Sequence, residues 1–355
     1  MSTEVFQAAK ARKNDEHYTL LEDVELELNN YKENFEDKII FCNCDDPYES
    51  AFFKYFALKF NSLKLKELIA TSYKPSVVVG NELDPMTLAG LSSHKTYEPF
   101  AIRITEVTDL NADGAVDLSD VELLLTQEKN TSTLLCGDKD YPAGDFRSKE
   151  SVKLLQEADI VITNPPFSLH REYLSLLMEN EKKFIIVGDE NWMTKKDTFS
   201  HVMNDEMWFG YTKPKGFRQP DGTIKKFGDK CWYTNLTTTK RTEEIHLFKE
   251  YYGNEEKYPT YANYDAIDVD KVANIPMDYE GEMGVPISFA AKYNPDQFEI
   301  IGSCRLLGKK MADCGYVKGT YVQGGIRFYL PNEDNTFRRL YGRIVIKAKG
   351  EKSGD

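Results

Sequence analysis

The sequence has no apolar run approaching the roughly 18 residues needed to span a bilayer. Its opening, MSTEVFQAAKARKNDE, has no apolar core of the kind a secretion signal carries. A cytoplasmic protein without a membrane partner is expected. Histidine is scarce, with five residues (His17, His94, His170, His201, His246) and no metal-ligand spacing among them. The six cysteines (Cys42, Cys44, Cys136, Cys231, Cys304, Cys314) form no CxxC pair, so neither a zinc framework nor a disulfide framework is indicated and free thiols are the expectation. Nothing in the sequence suggests hydrolysis or covalent catalysis.

An overall excess of positive charge is also missing. Lys and Arg number 45 against 58 Asp and Glu, a net charge of −13, which excludes a uniformly basic surface. The average conceals a split, because residues 301–355 hold eleven Lys or Arg against five acids and the preceding 300 residues carry −19. A polyanion touching one part of the molecule, or a solvated charged face, produces that pattern. With 41% hydrophobic and 12% aromatic residues the chain can bury a core, and 355 residues suggest two domains.

Short apolar runs alternate with amphipathic stretches through the first two thirds. Lys38 to Cys44 (KIIFCNC), Leu65 to Ala70, Thr133 to Cys136, Asp159 to Thr163 (DIVIT) and Lys183 to Val187 read as strands. Ser50 to Phe60, Ser151 to Glu157 and Leu169 to Glu179 read as helices between them. Strands so uniformly apolar belong to a parallel sheet covered on both faces, so a doubly wound α/β domain is predicted. It is placed within residues 1–245 with an insertion at about 80–130, followed by a Gly- and Tyr-rich region over 246–355.

Ligands of such sheets bind beyond the carboxyl ends of the strands. Three sequences fall there: Asn43-Cys44-Asp45-Asp46-Pro47, Cys136-Gly137-Asp138, and Asn164-Pro165-Pro166-Phe167. The last is the most informative. Two prolines fix φ and stiffen the turn, which holds the Pro165 carbonyl in one direction beside the Asn164 amide oxygen. Two such acceptors can take both hydrogens of an exocyclic amino group and turn its lone pair toward an electrophile, while Phe167 stacks on the ring. Read without that chemistry, Asn-Pro is simply a common turn opener.

The tetrapeptide resembles the [DNS]-PP-[FYW] signature of S-adenosylmethionine-dependent amino-methyltransferases. KNDEHYT (13–19), IIFCNCDDPYESAFFKYF (39–56), LIATSY (68–73), GDFRS (144–148), ITNPPF (162–167), CWYTNL (231–236), YPTYANYDAIDVDKV (258–272) and GVPISFAAKYNPDQFEIIG (284–302) are similar to segments of the EcoRI-type adenine-specific DNA methyltransferases. That resemblance implies a Rossmann-like doubly wound methyltransferase sheet with a C-terminal target-recognition region. It further implies S-adenosylmethionine as donor and an adenine flipped out of duplex DNA as acceptor of an N6 methyl group. Asn164, Pro165, Pro166 and Phe167 match the catalytic motif, with Trp232 or Tyr233 as the second stacking face. Tyr18, Thr19, Asn43, Asp45, Asp46, Pro47 and Asp138 match cofactor-binding positions. Two departures stand out: CNCDDP lacks the Gly-x-Gly of such loops, and Thr71-Ser72-Tyr73 offers no carboxylate for the ribose. A monomer in a restriction-modification system, without a stable complex with an endonuclease, is the expected state.

Extruding a base costs a few kcal/mol, which contacts elsewhere must offset. Residues 213–230 offer six cations against two acids, and Lys213, Lys215, Arg218, Lys225, Lys226, Arg338 and Arg339 are assigned to DNA. A further pattern, DLNADGAVDLSD, spaces Asp109, Asn111, Asp113, Asp117 and Asp120 as in a calcium loop, though the last position holds Asp where Glu normally reaches. An Asx-rich turn capping a helix is the alternative there. For the whole chain, two rival readings are an RNA or protein amino-methyltransferase and a catalytically silent DNA-binding protein of the same fold.

Overall fold

The uninterrupted apolar tetrad Ile39–Cys42 suits a strand covered on both faces, and in the computed structural model of the protein it is an inner strand of a large mixed sheet. The structure describes residues 18–44, 47, 49–72, 99–117, 119–121, 123, 131–219, 222–322 and 324–350. The chain forms two compact units. The first extends to Gly188 and resumes over Thr212–Leu236, and the second comprises Asp189–Tyr211 and the chain from Thr237 onward. Among the described residues no helix is long and apolar enough to cross a membrane.

The first unit holds β1 (Tyr18–Thr19), β2 (Ile39–Cys42), β3 (Glu67–Thr71), β4 (Phe100–Ile104), β5 (Thr131–Leu134), β6 (Ile160–Thr163) and β7 (Lys183–Asp189). After β8 (Trp208–Phe209), which belongs to the second unit, it adds β9 (Phe217–Arg218), β10 (Ile224–Lys225) and β11 (Lys230–Thr234). Within this unit the large sheet has the order β5-β4-β3-β2-β6-β7-β11. Strands β3, β2, β6 and β7 run parallel, as the apolar runs predict. The all-parallel expectation needs correction at β4, which is antiparallel to both β3 and β5 and lies where an insertion was expected. Its Arg103, paired with Glu67 at 2.7 Å and Glu157 at 2.6 Å, interrupts the apolar run and hides the strand from a hydrophobicity reading.

Helices α1 (Leu21–Leu28), α2 (Ala51–Leu58), α3 (Lys149–Glu157) and α4 (His170–Glu179) complete the first unit. Ser50 and Ser148 cap α2 and α3, each accepting the N–H three residues on, at 3.3 Å. The buried face of α1 carries two carboxylates with a structural task. Asp23 accepts the Lys215 and Gly216 amides at 2.7 and 3.2 Å. Glu27 accepts the Thr212 amide at 2.6 Å and its hydroxyl at 2.7 Å. The chain is thereby fastened to α1 where it re-enters the first unit. A small sheet of order β1-β9-β10 continues from there.

The second unit contains a four-stranded sheet of β12 (Ile267–Asp268), β13 (Met283–Pro286), β14 (Phe298–Ser303) and β17 (Arg343–Ala348), in the order β12-β13-β17-β14. Strands β15 (Tyr329–Pro331) and β16 (Phe337–Arg339) form a separate antiparallel pair. A single sequence break near 245 does not capture the excursion Asp189–Tyr211. That segment packs with later residues of the second unit through Arg241, which pairs with Asp205 and lies 4.2 Å from the Trp208 ring centroid. Contacts of this separation leave no local mark in the sequence.

At the centre of the second unit Tyr261 stacks on Phe328, ring centroids 4.4 Å apart. Its hydroxyl donates to Asp268 at 2.6 Å, and the Arg343 Nε donates to the same oxygen at 2.9 Å. Asp268 is buried, so removing its cation strands a charge. Arg343→Met is expected to lower the unfolding free energy by about 3–5 kcal/mol. Urea denaturation measures it, and adding Asp268→Asn should recover part of the loss.

Candidate active site at the carboxyl ends of two strands

Strand β2 is followed through α2 by β3 on one side, while its other neighbour is β6, so the strand order reverses between β2 and β6. Open α/β sheets bind ligands beyond the carboxyl ends of their strands at such a point. Asn43 leaves β2 here and Asn164 leaves β6. The two exits are joined directly, because the Thr163 hydroxyl donates to the Asn43 main-chain carbonyl. Asn43 is buried, and its amide oxygen accepts from the Tyr173 hydroxyl of α4. Burial holds the Tyr173 phenol well above its ordinary pKa, so it remains a neutral donor. Cys44 then turns in the left-handed region, at φ 73°, where glycine is the usual occupant. The missing Gly-x-Gly is thus replaced in backbone terms by a strained cysteine.

The Asn-Pro-Pro-Phe segment continues from β6 with Asn164 and Pro165 buried and Pro166 and Phe167 half-buried. Pro166 has φ −61° and ψ 121°, as ring closure dictates, and a single tight turn over Phe167–Leu169 leads into α4. The Leu169 amide closes on the Pro166 carbonyl at 3.0 Å, and the His170 ring nitrogen Nδ1 lies 3.1 Å from the Phe167 carbonyl.

A third loop supports these two. Phe146 packs edge-on against Tyr173, ring centroids 5.0 Å apart. Arg147 pairs with buried Asp145 through two bonds of 2.9 Å and with Glu172 of α4 at 2.6 Å. Sequence reasoning did not single out Tyr173, Asp145 or Arg147. The available signals were the GDFRS string and a tyrosine one helical turn into the helix after the motif.

Several sequence-assigned residues have other tasks in the structure. Asp138, expected against the cofactor, accepts the amides of Asp140 and Tyr141 at 2.9 Å and of Lys149 at 2.8 Å, so it closes a turn and caps α3. Gly137 precedes it at φ 73°, where a Cβ would stand 2.5 Å from the Ala143 nitrogen. Trp232 is fully buried, meets Phe52 edge-on at 6.0 Å and donates its indole N–H to Thr212 at 3.1 Å. Tyr233 is 1% exposed. Both rings are buried along β11 in this structure. Tyr18 and Thr19 pair with Arg218 and Phe217 across β1 and β9. Pro47 is buried, and Asp45 and Asp46 lie outside the described residues.

Each side chain assigned to calcium turns at least one oxygen onto the chain's own amides. Asp120 accepts from Leu110 at 2.7 Å, Asn111 at 3.2 Å and Asp117 at 2.9 Å, and Asp109 accepts from Gly114 at 2.8 Å. Asn111, Asp113 and Asp117 each take the amide two residues on. This is a string of Asx turns, and among the described residues no group of three or more His, Cys, Asp or Glu is gathered as a metal site. Of the cations assigned to DNA, Lys213, Lys215, Arg218, Lys225, Lys226 and Arg338 are exposed and Arg339 is half-buried. Burial and the neighbouring Arg305 and Arg339 hold the Arg327 guanidinium below its ordinary value.

A proline-stiffened Asn-Pro-Pro-Phe turn at the carboxyl edge of a mixed α/β sheet is the arrangement of an amino-methyltransferase. The particular family follows from comparison with known proteins: the chain belongs to the adenine-specific methyltransferase EcoRI family, whose model matches residues 5–349. It is 41% identical over 311 residues to the type II methyltransferase M.EcoRI of Escherichia coli, covering 82% of this chain and 87% of that protein. It is 33% identical to the type II methyltransferases M.MgeORF184P of Mycoplasma genitalium and M.MpnI of Mycoplasma pneumoniae, each over 97% of this chain and 98% of the relative. No solved structure matches.

The Lys149 amide, followed by those of Asp140 and Tyr141, holds the Asp138 carboxyl below the ordinary carboxylate range. Since the folded value lies below the unfolded one, this contribution is present above about pH 4. It is lost as pH falls through the lowered value. Asp138→Asn is therefore expected to flatten the acid limb of a thermal-stability profile measured against pH.

Proposed function

We propose that the chain is a site-specific DNA adenine N6-methyltransferase that acts on an adenine extruded from the duplex, with S-adenosylmethionine as donor. The observation that carries this reading is the Asn164–Phe167 turn at the point where strand order reverses, tied to the end of β2 through Thr163 and Asn43. Family membership gives the substrate class. The sheet is read as the Rossmann-like scaffold of such enzymes and the second unit as the main target-recognition region, whose residues 301–355 carry +6 in a chain of −13.

Asn164 and the Pro165 carbonyl accept the two hydrogens of the adenine amino group. Both acceptors are fixed before the base arrives, which keeps the amine lone pair out of ring conjugation without reorganisation at the moment of reaction. Phe167 stacks on the base. The amine proton leaves after methyl transfer, so no strong base is required beside the motif. S-adenosylmethionine supplies an electrophilic methyl group on a sulfonium centre. The residues present fit such a donor: the Thr19 hydroxyl is buried with no hydrogen-bond partner, which leaves a polar atom for a ligand. Asn43 and Cys44 occupy the strand exit where ligands of this sheet class bind. Lys213, Lys215, Arg218, Lys225, Lys226 and Arg338 face solvent and suit phosphate contacts, and half-buried Arg339 follows Arg338 in the chain.

Expression in a host without adenine methylation, followed by mapping of modified adenines, tests the whole reading. A sequence-specific N6-methyladenine is expected, reduced about a hundredfold or more by Asn164→Ala. Undiminished modification in that variant removes Asn164 from its role, and preferential labelling of RNA or protein replaces the substrate. Thr19→Val is expected to weaken S-adenosylmethionine binding roughly fivefold in calorimetry, the effect of one hydrogen bond.

A further inference from the structure

Lys230 lies at the end of a segment whose other cations face solvent, yet it is 7% exposed. It is the first residue of β11. Its ammonium lies 5.0 Å from the ring centroid of Phe167, 5.2 Å from that of Phe227 and 3.1 Å from the Asp229 carboxylate. A buried ammonium has lost most of its hydration, so its position is set by whatever replaces the water. Two ring faces and one carboxylate are among the groups that do so here. Phe227 is itself held edge-on by Phe217, centroids 5.6 Å apart, and Phe217 pairs with Thr19 across β9 and β1. A continuous line of contacts therefore runs from the N-terminal strand through the β9–β10 hairpin to the catalytic turn.

Phe167 is half-buried on a single tight turn, and the plane of a phenyl ring is set by the groups packed against it. The faces of an aromatic ring are its electron-rich regions, so a cation placed over one face selects one orientation. It also draws π density to that side and makes the opposite face a better platform for a purine. We propose that Lys230 is a positioning residue for methyl transfer: it closes one face of Phe167 and fixes the ring plane on which the target adenine stacks. The inference rests on the reading of Phe167 as the stacking residue.

The test is steady-state methylation of a duplex at saturating DNA and cofactor. Lys230→Met should lower kcat roughly tenfold, the size of a desolvated cation–π contact. The KM values and the melting temperature should stay close to those of the unsubstituted protein. Lys230→Arg keeps a cation over the ring and should restore most of the rate. In a Phe167→Leu background the Lys230→Met change should add little, because its effect is exerted through that ring. Full additivity in the double variant overturns the proposal, as does an unaltered kcat in Lys230→Met. If Lys230→Met does not fold, Lys230→Gln carries the same cycle, and loss of fold in both also overturns it by making Lys230 a purely structural residue. A protein that methylates no DNA at all counts against the reading of Phe167, whereas methylation unaffected by Lys230→Met counts against Lys230 alone.

Discussion

The tie between the ends of β2 and β6 is the constraint on which the candidate site depends. Thr163 reaches across to the Asn43 carbonyl, and Tyr173 holds the Asn43 side chain from α4. Their effect is to fix the separation of the two strand exits, one leading to the cysteine turn and the other to the Asn-Pro-Pro-Phe turn. Buried hydrogen bonds of this kind contribute modestly when made and cost more when one partner is left alone. The arrangement therefore specifies a geometry more than it adds stability, which is what a reaction governed by positioning requires.

The same economy recurs around the site. Proline restricts Pro165 and Pro166 without any partner side chain. Asp138 and Glu150 together take the amides of Cys136, Gly137, Asp140, Tyr141 and Lys149, so one loop is held almost entirely by two carboxylates. Acidic residues in a chain of net charge −13 are thus not all solvated surface. Several replace water for backbone groups at the ends of strands and helices, where the main chain would otherwise be unsatisfied.

The sequence made some of this legible for reasons that are local. Parallel strands announce themselves as apolar runs because both faces are covered, and β2, β6 and β7 fall within a few residues of the expected positions. The Asn-Pro-Pro-Phe turn is equally local. What escaped depended on distant partners. Strand β4 carries Arg103, which fits a half-buried strand position because Glu67 and Glu157 stand beside it. Trp232 is assigned to base stacking with no sign of its burial, because its indole partner, Thr212, lies twenty residues back. Lys230 read as one more cation in a basic stretch, and its burial and its place over Phe167 set it apart from Lys225 and Lys226.

The route of the chain between its two units has a consequence for how such an enzyme can diversify. Because Asp189–Tyr211 belongs with the later residues, the second unit is assembled from two pieces, and the backbone passes between units three times. A crossover that exchanged only the C-terminal part would graft a partial module beside a foreign excursion. Exchange of the second unit between proteins of this architecture therefore requires both pieces together, unlike the simple tail swap open to proteins whose modules lie end to end.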